Sequence, residues 1–431
     1  MLEFIFSRTP LTFLTQSFWR DEAFTFLLAQ QSVWQILINT AKDFSPPLHY
    51  LLLHFWMMIF GSSELALRSV SLIFFYATIY VVDHLLVDVL RIKSKWRFAY
   101  LLMFAINPFL IYYASEARTY SMLVFFVTAS WYGYLTGRKK LHIISSALGM
   151  YTHYFTALAL LSQLLYYFLL KKHKSDVRSF VWVALIFAPW VLFTVIVHGS
   201  TDSSFWIMQP SLKTIWQTPG IILTGFENSL RLYATPLNGL TLISYGAILI
   251  AVKNFLKKND KKETSTYLLL WSLLPAVITI IASFVKPVYL PRYFIFSAVG
   301  LSLLLAHSME QFKPVIRAGI YILLIGFLLQ YNVAQIDHRK KGDVRSLIRK
   351  INLSISPNDL IYVENELDFH TVQYYFDPGR VFIYRKTYEE IPQYVGKVLI
   401  PSSQVVSVLP TYPKKAFVIH SNLTYDVQSM N

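Results

Sequence analysis

The chain has 431 residues, of which 55% are hydrophobic and only 15% are charged, with a mean hydropathy of +0.45. An average soluble protein carries about 25% charged residues, so this composition argues against an ordinary soluble enzyme and indicates a polytopic membrane protein. The formal net charge of +15 would suggest nucleic-acid binding in a soluble protein, but here it first suggests cytoplasmic loops rich in Lys and Arg. The absence of cysteine excludes disulfides and thiolate metal sites.

Ten apolar segments between residues 69 and 331 are predicted to span the membrane, since a spanning helix needs roughly 20 apolar residues. The polar cluster at residues 151–153 favours a hairpin of two short helices over the stretch 141–170. Residues 1–18, which Arg8 and Pro10 interrupt, are an eleventh and irregular candidate. The ten segments are 69–90, 98–113, 119–136, 141–152, 154–170, 179–198, 237–252, 266–284, 292–308 and 315–331.

The basic residues of alternate loops predict the orientation, because cytoplasmic loops retain Lys and Arg. One set of loops contains eighteen of them, at positions 91–97, 138–140, 171–178, 253–262 and 313–317. The opposite set contains six, which are Arg68, Arg118, Lys213, Arg231, Lys286 and Arg292. The first set therefore faces the cytoplasm, and residues 19–68 and the tail after residue 332 are external. Because eighteen of the 39 basic residues are assigned to topology in this way, no nucleic-acid partner is predicted.

The two external regions have different patterns. Residues 19–64 are amphipathic, and the apolar run Leu48–Phe60 has a length that suits a helix lying in the membrane interface. In the tail, Asp343–Leu353 has the pattern of a charged amphipathic helix, and short β-rich runs follow it. We therefore predict a helical membrane domain at residues 1–336 and a small external α/β domain at residues 337–431. The β-rich runs are Leu360–Val363, Val381–Tyr384, Lys397–Ile400 and Ala416–Ile419.

Five polar groups of the outer face are candidates for a functional site, because charge at membrane depth is costly and tends to mark a site. Each group also has a structural interpretation. Acids at helix starts can be caps, an acid and a base in one turn can pair or snorkel, a lone His is more often structural, and basic residues can anchor the chain at the headgroups. The candidates are Asp21 with Glu22, Asp43, Glu116 with Arg118, His153, and Lys286 with Tyr289 and Arg292.

The concentration of these groups on one face favours a site over five separate structural roles. Carboxylates suit base catalysis on a hydroxyl, and Arg and Lys suit a phosphate, which Arg binds in a planar fork. Both features in a membrane protein suggest a lipid-phosphate substrate. The chain has no metal motif of fixed spacing, which leaves a divalent metal ion at Asp43, Glu116 or His153 open as a cofactor.

The motifs and their order resemble the GT-C superfamily of integral-membrane glycosyltransferases. The similarity is to the bacterial branch related to protein O-mannosyltransferases and to the lipid A aminoarabinose transferase, which is glycosyltransferase family 39-like. Relatives often carry His where this chain has Ser45, which weakens a metal assignment near Asp43. The matching segments are Trp19–Ala23, Asp43–Tyr50, Gly61–Arg68, Tyr113–Tyr120, Thr152–Tyr154, Pro291–Tyr293 and Lys341–Arg345.

The resemblance implies a GT-C fold of about 10–11 transmembrane helices, with interfacial helices in the first external loop. It also implies inverting transfer of a sugar from a polyprenyl-phosphate carrier to a lipid, glycan or protein acceptor, outside the cytoplasmic membrane. In that reading Asp21 is the general base and Glu22 orients it. The carrier phosphate is held by basic residues, and the remaining candidates orient the sugar, the acceptor or a metal. The basic residues are Arg118, Lys286 and Arg292, and the others are Asp43, Glu116 and His153.

Two other functions compete with this interpretation. A flippase or transporter of lipid-linked sugars would be expected to have internal repeats and broken or ionisable helices near the bilayer midplane, whereas the notable groups here lie at one end of the helices. A scaffold protein would leave the paired acids and the outer basic residues without a purpose. We therefore predict a multi-pass enzyme of the cytoplasmic membrane, with its active site and C-terminal domain on the external side.

Overall fold

The structure is a computed structural model that describes residues 8–92, 95–170, 177–198, 207–227, 234–257 and 260–430. The chain divides into two compact units. The helical unit comprises Met1–Thr12, Ser69–Leu192 and Trp206–His338. The second unit, which we call the external unit after its predicted location, comprises Phe13–Arg68, Phe193–Phe205 and Arg339–Asn431. This division differs from the predicted boundary at residue 336, because the N-terminal helices pack against the tail.

All ten predicted spanning segments are helical, and the structure sets their ends. The second is bent by 56° between two helices where Asn107 precedes Pro108, since proline disfavours helix in the residue before it. The helices are Glu64–His84, Trp96–Ala105, Pro108–Ala114, Tyr120–Leu135, Lys139–Thr152, Thr156–Leu170, Val177–His198, Ala234–Lys257, Lys262–Ser283, Ser297–Met309 and Pro314–His338. A π-turn at Leu85–Val89 extends the first helix, and a 3-10 turn at Pro291–Phe294 precedes the helix Ser297–Met309 in the ninth segment.

Among the described residues, five helices are long and apolar enough to cross a membrane, or six if the bent pair forms one span. The other predicted spans form helices of only 13 to 16 residues. The apolar helices therefore make this a multi-pass membrane protein. Residues 1–7 of the irregular eleventh candidate lie outside the described part, and its remainder includes the short helix Thr12–Thr15.

Aromatic residues pack the helical unit. Trp131 and Trp271 stack with ring centroids 5.1 Å apart, and a Cβ atom at Gly300 would lie 2.8 Å from Trp271, so only glycine allows this approach. The helix Leu212–Thr224, which Ser211 caps, lies outside the ten predicted segments. This helix has eight consecutive buried residues at its C-terminal end, so it is part of the core rather than an outer loop.

Three helices begin the external unit: Arg20–Ala29, Val33–Lys42 and Leu48–Phe60. They confirm the helical reading of residues 19–64, and their membrane contact stays a prediction. The third ends at Gly61, whose φ of +76° lies in the left-handed region that favours glycine. Phe26 contacts the ring of Tyr374 edge-on at 4.8 Å, so these helices share a core with the tail.

The tail is a small α/β fold in which a helix precedes a five-stranded sheet. The helix Val344–Asn352 confirms the amphipathic pattern, and Asp343 caps it by accepting a hydrogen bond from the Ser346 amide. The strands are β1 (Leu360–Val363), β2 (Val381–Tyr384), β3 (Val405–Val406), β4 (Ala416–Ile419) and β5 (Tyr425–Gln428). Their order is β3-β2-β1-β4-β5, with the first four parallel and β5 antiparallel to β4.

One predicted strand is wrong, and two strands were not predicted. Lys397–Leu399 forms a 3-10 turn instead of a strand, because Gly396 at φ +80° and Pro401 enclose it in a tight loop. The sheet instead takes β3 from the following residues and adds β5 at its other edge. Val405–Val406 has only two residues, too few for an alternating pattern to be seen in the sequence.

Candidate active site

Asp21 lies in the first turn of the helix Arg20–Ala29 in the external unit. Its side chain is half-buried, and its carbonyl oxygen accepts a 2.8 Å hydrogen bond from the hydroxyl of Thr25. A carboxylate in this position is stabilised by the positive end of the helix dipole. The start of this helix therefore fixes the backbone of Asp21.

Glu22 is fully buried and pairs with two cations, Arg68 and Lys341. The Arg68 guanidinium donates to both carboxylate oxygens at 2.8 and 2.9 Å, and the Lys341 ammonium donates at 2.8 Å. The Trp19 amide also donates to Glu22, at 3.0 Å. Arg68 donates further to the carbonyl oxygens of residues 14, 16 and 17. This triad joins the helix that carries Asp21 to the start of the tail.

The triad gives Glu22 a positioning role. Burial disfavours its ionised form, but the charges and hydrogen bonds of Lys341 and Arg68 hold the pKa of Glu22 well below its usual range. Its carboxylate is occupied by these partners, so it stabilises the turn next to Asp21. The sequence did not indicate Arg68 or Lys341 as its partners; the requirement that a buried charge be paired was the only signal that could have found them.

Asp43 ends the helix Val33–Lys42, before the Pro46-Pro47 pair. The Ser45 hydroxyl donates to its carboxylate at 3.3 Å. Desolvation raises the pKa of Asp43 to about 7, the Ser45 hydrogen bond opposes the rise, and the negative charge of Asp21 adds to it. The structure therefore brings Asp21 and Asp43 within electrostatic reach of each other.

The pKa of Asp43 predicts a pH-dependent stability. Because this pKa is raised above its ordinary 3.8, the folded chain binds the proton more tightly than the unfolded chain. The contribution of Asp43 is therefore present below about pH 4 and is lost as the pH rises through about 7. We expect the melting temperature of the unmodified protein to fall by a few degrees, relative to Asp43→Asn, between about pH 5 and about pH 8. If the melting temperatures of the two proteins change with pH in parallel, that result would contradict this pKa. Glu389→Gln, at an exposed carboxylate, is the control and should follow the unmodified protein.

In the helical unit, Arg118 and Arg292 act on the same residue, His153. Desolvation, followed by the positive charges of these two arginines, lowers the pKa of His153 to about 3. His153 is therefore neutral, and its Nδ1 accepts a 3.2 Å hydrogen bond from the Phe155 amide. Two guanidinium groups near one neutral imidazole create a positive potential that suits an anion such as a phosphate.

Aromatic rings hold this cluster together. The Arg118 guanidinium lies 4.8 Å from the centre of the Tyr120 ring, and Tyr120 and Tyr293 lie 5.9 and 5.6 Å from the His153 ring. Stacking on an aromatic face restricts the rotamers of Arg and preserves its hydrogen-bond donors. Tyr120 and Tyr293 belong to the sequence motifs Tyr113–Tyr120 and Pro291–Tyr293, but no role was predicted for either residue.

The other predicted residues of this unit have different surroundings. Tyr289 is buried and its hydroxyl lies 3.2 Å from that of Thr218, so it packs the loop before Arg292. Lys286 is exposed. Glu116 is buried, and its carbonyl oxygen accepts hydrogen bonds from the Ser71 hydroxyl at 2.5 Å and from the Arg118 amide at 2.9 Å. Glu116 thus supports the turn that carries Arg118.

Metal ligands are not clustered in the described part of the chain. There, no three or more His, Cys, Asp or Glu side chains are grouped so that they could hold a metal ion. In that part of the chain, no such group includes Asp43, Glu116 or His153.

Two crystal structures of ArnT from Cupriavidus metallidurans are similar to this chain. The apo structure superposes with a TM-score of 0.62 at 12% sequence identity, and the match covers 88% of this chain and 82% of ArnT. The structure bound to undecaprenyl phosphate gives 0.61 at 13% identity, over 88% and 83%. No protein-family model and no curated protein matches the chain.

These matches confirm the resemblance at the level of the fold, over most of the chain. Identities of 12% and 13% leave the roles of individual side chains to the geometry described above. The chain therefore shares the fold of ArnT over most of its length, with apolar helices and a small α/β domain.

Proposed function

We propose that this protein transfers a monosaccharide from a polyprenyl-phosphate-linked donor to an acceptor on the outer face of the cytoplasmic membrane. The observation that carries the proposal is the convergence of Arg118 and Arg292 on the neutral His153. The fold supports it, because one of the two similar ArnT structures binds undecaprenyl phosphate. A phosphate carried on a lipid matches both the charge of the cluster and the apolar helices that bear it.

The transfer is a single displacement that inverts the anomeric carbon. The acceptor hydroxyl oxygen bonds to that carbon while the bond from the carbon to the phosphate oxygen breaks. Asp21 takes the hydroxyl proton as general base, and the phosphate oxygen keeps the electron pair and leaves as polyprenyl phosphate. Near neutral pH, a protonated Asp43 donates a hydrogen bond to the sugar or the acceptor without adding a second negative charge.

The two arginines stabilise the charge that develops on the leaving phosphate. Such stabilisation accelerates the reaction when the donors are positioned before it starts. Stacking on Tyr120 positions Arg118, and the 3-10 turn Pro291–Phe294 positions Arg292. Exposed Lys286 adds positive charge, Tyr289 fixes the loop, and Glu116 supports the turn before Arg118.

Carrier binding is expected to depend on both arginines. Arg118→Gln and Arg292→Gln should each weaken the binding of undecaprenyl phosphate roughly ten- to a hundredfold, the effect of losing hydrogen bonds to a charged group. Titration of the purified protein in detergent measures this. Arg138→Gln, at an exposed arginine of a predicted cytoplasmic loop, is the matched control and should bind normally. Unchanged affinity in both cluster variants would contradict the phosphate assignment.

Turnover in detergent distinguishes the transferase from a flippase. Lipid-linked sugars extracted from cells that lack this protein should be enriched in the donor, and we expect the purified enzyme to release free polyprenyl phosphate from that fraction when acceptor is added. A flippase would move the intact lipid across proteoliposomes and leave the sugar–phosphate bond uncleaved. Translocation without cleavage would refute the proposed function.

A further inference from the structure

A cleft of about 610 Å³ lies within the external unit, and neither Asp21 nor Asp43 lines it. Its volume falls in the range of roughly 300–1,000 Å³ that small-molecule sites occupy. One wall consists of Leu27, in the helix Arg20–Ala29, and Gln31, two residues after the end of that helix, and the tail supplies the others. The main tail residues in the lining are Gln373, Phe382, Leu399, Ser403 and Gln404.

The lining of this cleft is uncharged. Residues 337–431 contain twelve basic and ten acidic residues, yet none of the ten residues that line the cleft is charged. Three of them are glutamines and one is a serine. A lining of amides and a hydroxyl without charge suits a neutral ligand that both donates and accepts hydrogen bonds.

Two of the glutamines keep hydrogen-bonding capacity for a ligand. The Gln31 carbonyl oxygen accepts from the Asn39 amide at 2.7 Å, and the Gln404 amide nitrogen donates to the Pro378 carbonyl at 2.7 Å. In the part of the chain that the structure describes, the Gln31 amide nitrogen and the Gln404 amide oxygen have no hydrogen-bond partner. The cleft therefore offers one fixed donor and one fixed acceptor, which is the complement of neighbouring hydroxyl groups.

The remaining walls are apolar and held in place. The half-buried ring of Phe382, with Leu27 and Leu399, gives flat apolar surface of the kind that lines ligand sites. Pro378 and Pro401 begin or precede 3-10 turns at the rim, and proline fixes its own φ. A rim restricted in this way loses little conformational freedom when a ligand binds.

We propose that this cleft binds an uncharged saccharide, the carbohydrate part of the acceptor. A sugar presents hydroxyls at its edges and C–H groups on its faces, which match the two amides and the apolar walls. The assignment of the saccharide as acceptor rests on the proposed function, whereas its binding in the cleft does not. This narrows the acceptor to a glycan or glycolipid whose bound part carries no charge.

Saccharide binding can be measured without any transfer reaction. The probes are maltotriose, cellotriose and N-acetylchitotriose, with trigalacturonate as an anionic trisaccharide. Saturation-transfer NMR uses the full-length protein in lauryldimethylamine oxide, a detergent without a sugar headgroup. We expect at least one neutral trisaccharide to bind at millimolar concentration and trigalacturonate to bind more weakly.

Gln31→Glu is the decisive variant. It keeps the oxygen that accepts from Asn39 and replaces only the amide nitrogen that donates to the ligand. It should weaken binding of the neutral trisaccharide about three- to tenfold, and Gln404→Ala should have a similar effect. Gln393→Glu makes the same charge change at an exposed glutamine outside the cleft and should bind normally. Melting temperatures check that each variant is folded.

Three results would overturn the assignment: no neutral trisaccharide binds, trigalacturonate binds equally well, or Gln31→Glu and Gln404→Ala bind like the unmodified protein. Binding of a serine-rich peptide in place of the trisaccharides would also overturn it. The Asp21→Asn variant should keep trisaccharide binding. Normal binding by a protein that transfers no sugar would therefore refute the proposed function and leave the cleft assignment intact.

Discussion

Asp21→Asn is expected to reduce sugar transfer by roughly a hundred- to ten-thousandfold, the contribution of a positioned general base. The substitution keeps the size of the side chain and removes its ability to take a proton from the acceptor hydroxyl. Binding of undecaprenyl phosphate should stay within about twofold of normal, because carrier binding is assigned to Arg118 and Arg292. Removing the charge of Asp21 should change the affinity for the carrier only through a weak, screened electrostatic interaction. The measurement pairs the release of polyprenyl phosphate with a carrier titration on the same preparation.

The controls separate catalysis from folding. Glu389→Gln neutralises an exposed carboxylate of the same unit and should leave transfer unchanged. Asp43→Asn should retain part of the activity, because an amide can still donate the hydrogen bond assigned to the protonated acid. If Asp21→Asn turns over at the normal rate, another group is the base and the assignment is wrong.

Glu22→Gln is expected to lower the free energy of unfolding by about 3–5 kcal/mol, the cost of breaking a buried ion pair from one side. The change is nearly isosteric, but it removes the negative charge that the buried guanidinium of Arg68 and the buried ammonium of Lys341 share. For a unit of this size the melting temperature should fall by roughly 10 °C.

The order of effects within the triad is a sharper test. Lys341→Met should cost less than Glu22→Gln, because Glu22 keeps both of its hydrogen bonds to Arg68. Thermal unfolding in detergent compares these variants with the exposed Glu389→Gln, which should melt normally. Equal melting temperatures for Glu22→Gln and Glu389→Gln would show that the triad does not stabilise the external unit.

The helices were the most predictable part of the fold. Each of the ten segments chosen for its run of apolar residues is helical, because a backbone in lipid must satisfy its hydrogen bonds within the segment. Leu212–Thr224 was missed, since polar residues and Pro219 interrupt its pattern and its burial comes from neighbouring helices. Short strands such as Val405–Val406 were missed because pairing in the sheet, rather than local pattern, forms them.

The candidate residues were predictable as a set, but their individual roles were not. Asp21 and Glu22 are adjacent and chemically similar, and the sequence offered no reason to separate them beyond the resemblance. The structure separates them, because Glu22 points into a buried pair of cations while Asp21 stays half-exposed. The partner Lys341 is 319 residues away along the chain, a distance at which no local pattern reports contact.

The sequence by itself determined that this is a polytopic helical protein, its predicted orientation and the residue types available for chemistry. Those properties follow from hydropathy and charge, which each segment carries independently of the others. Only the tertiary structure decided that Glu22 is a buried structural charge, that burial raises the pKa of Asp43 to about 7, and that the charges of Arg118 and Arg292 act on one histidine. Burial and charge–charge distance are set by residues far apart in the chain, so they exist only once it has folded.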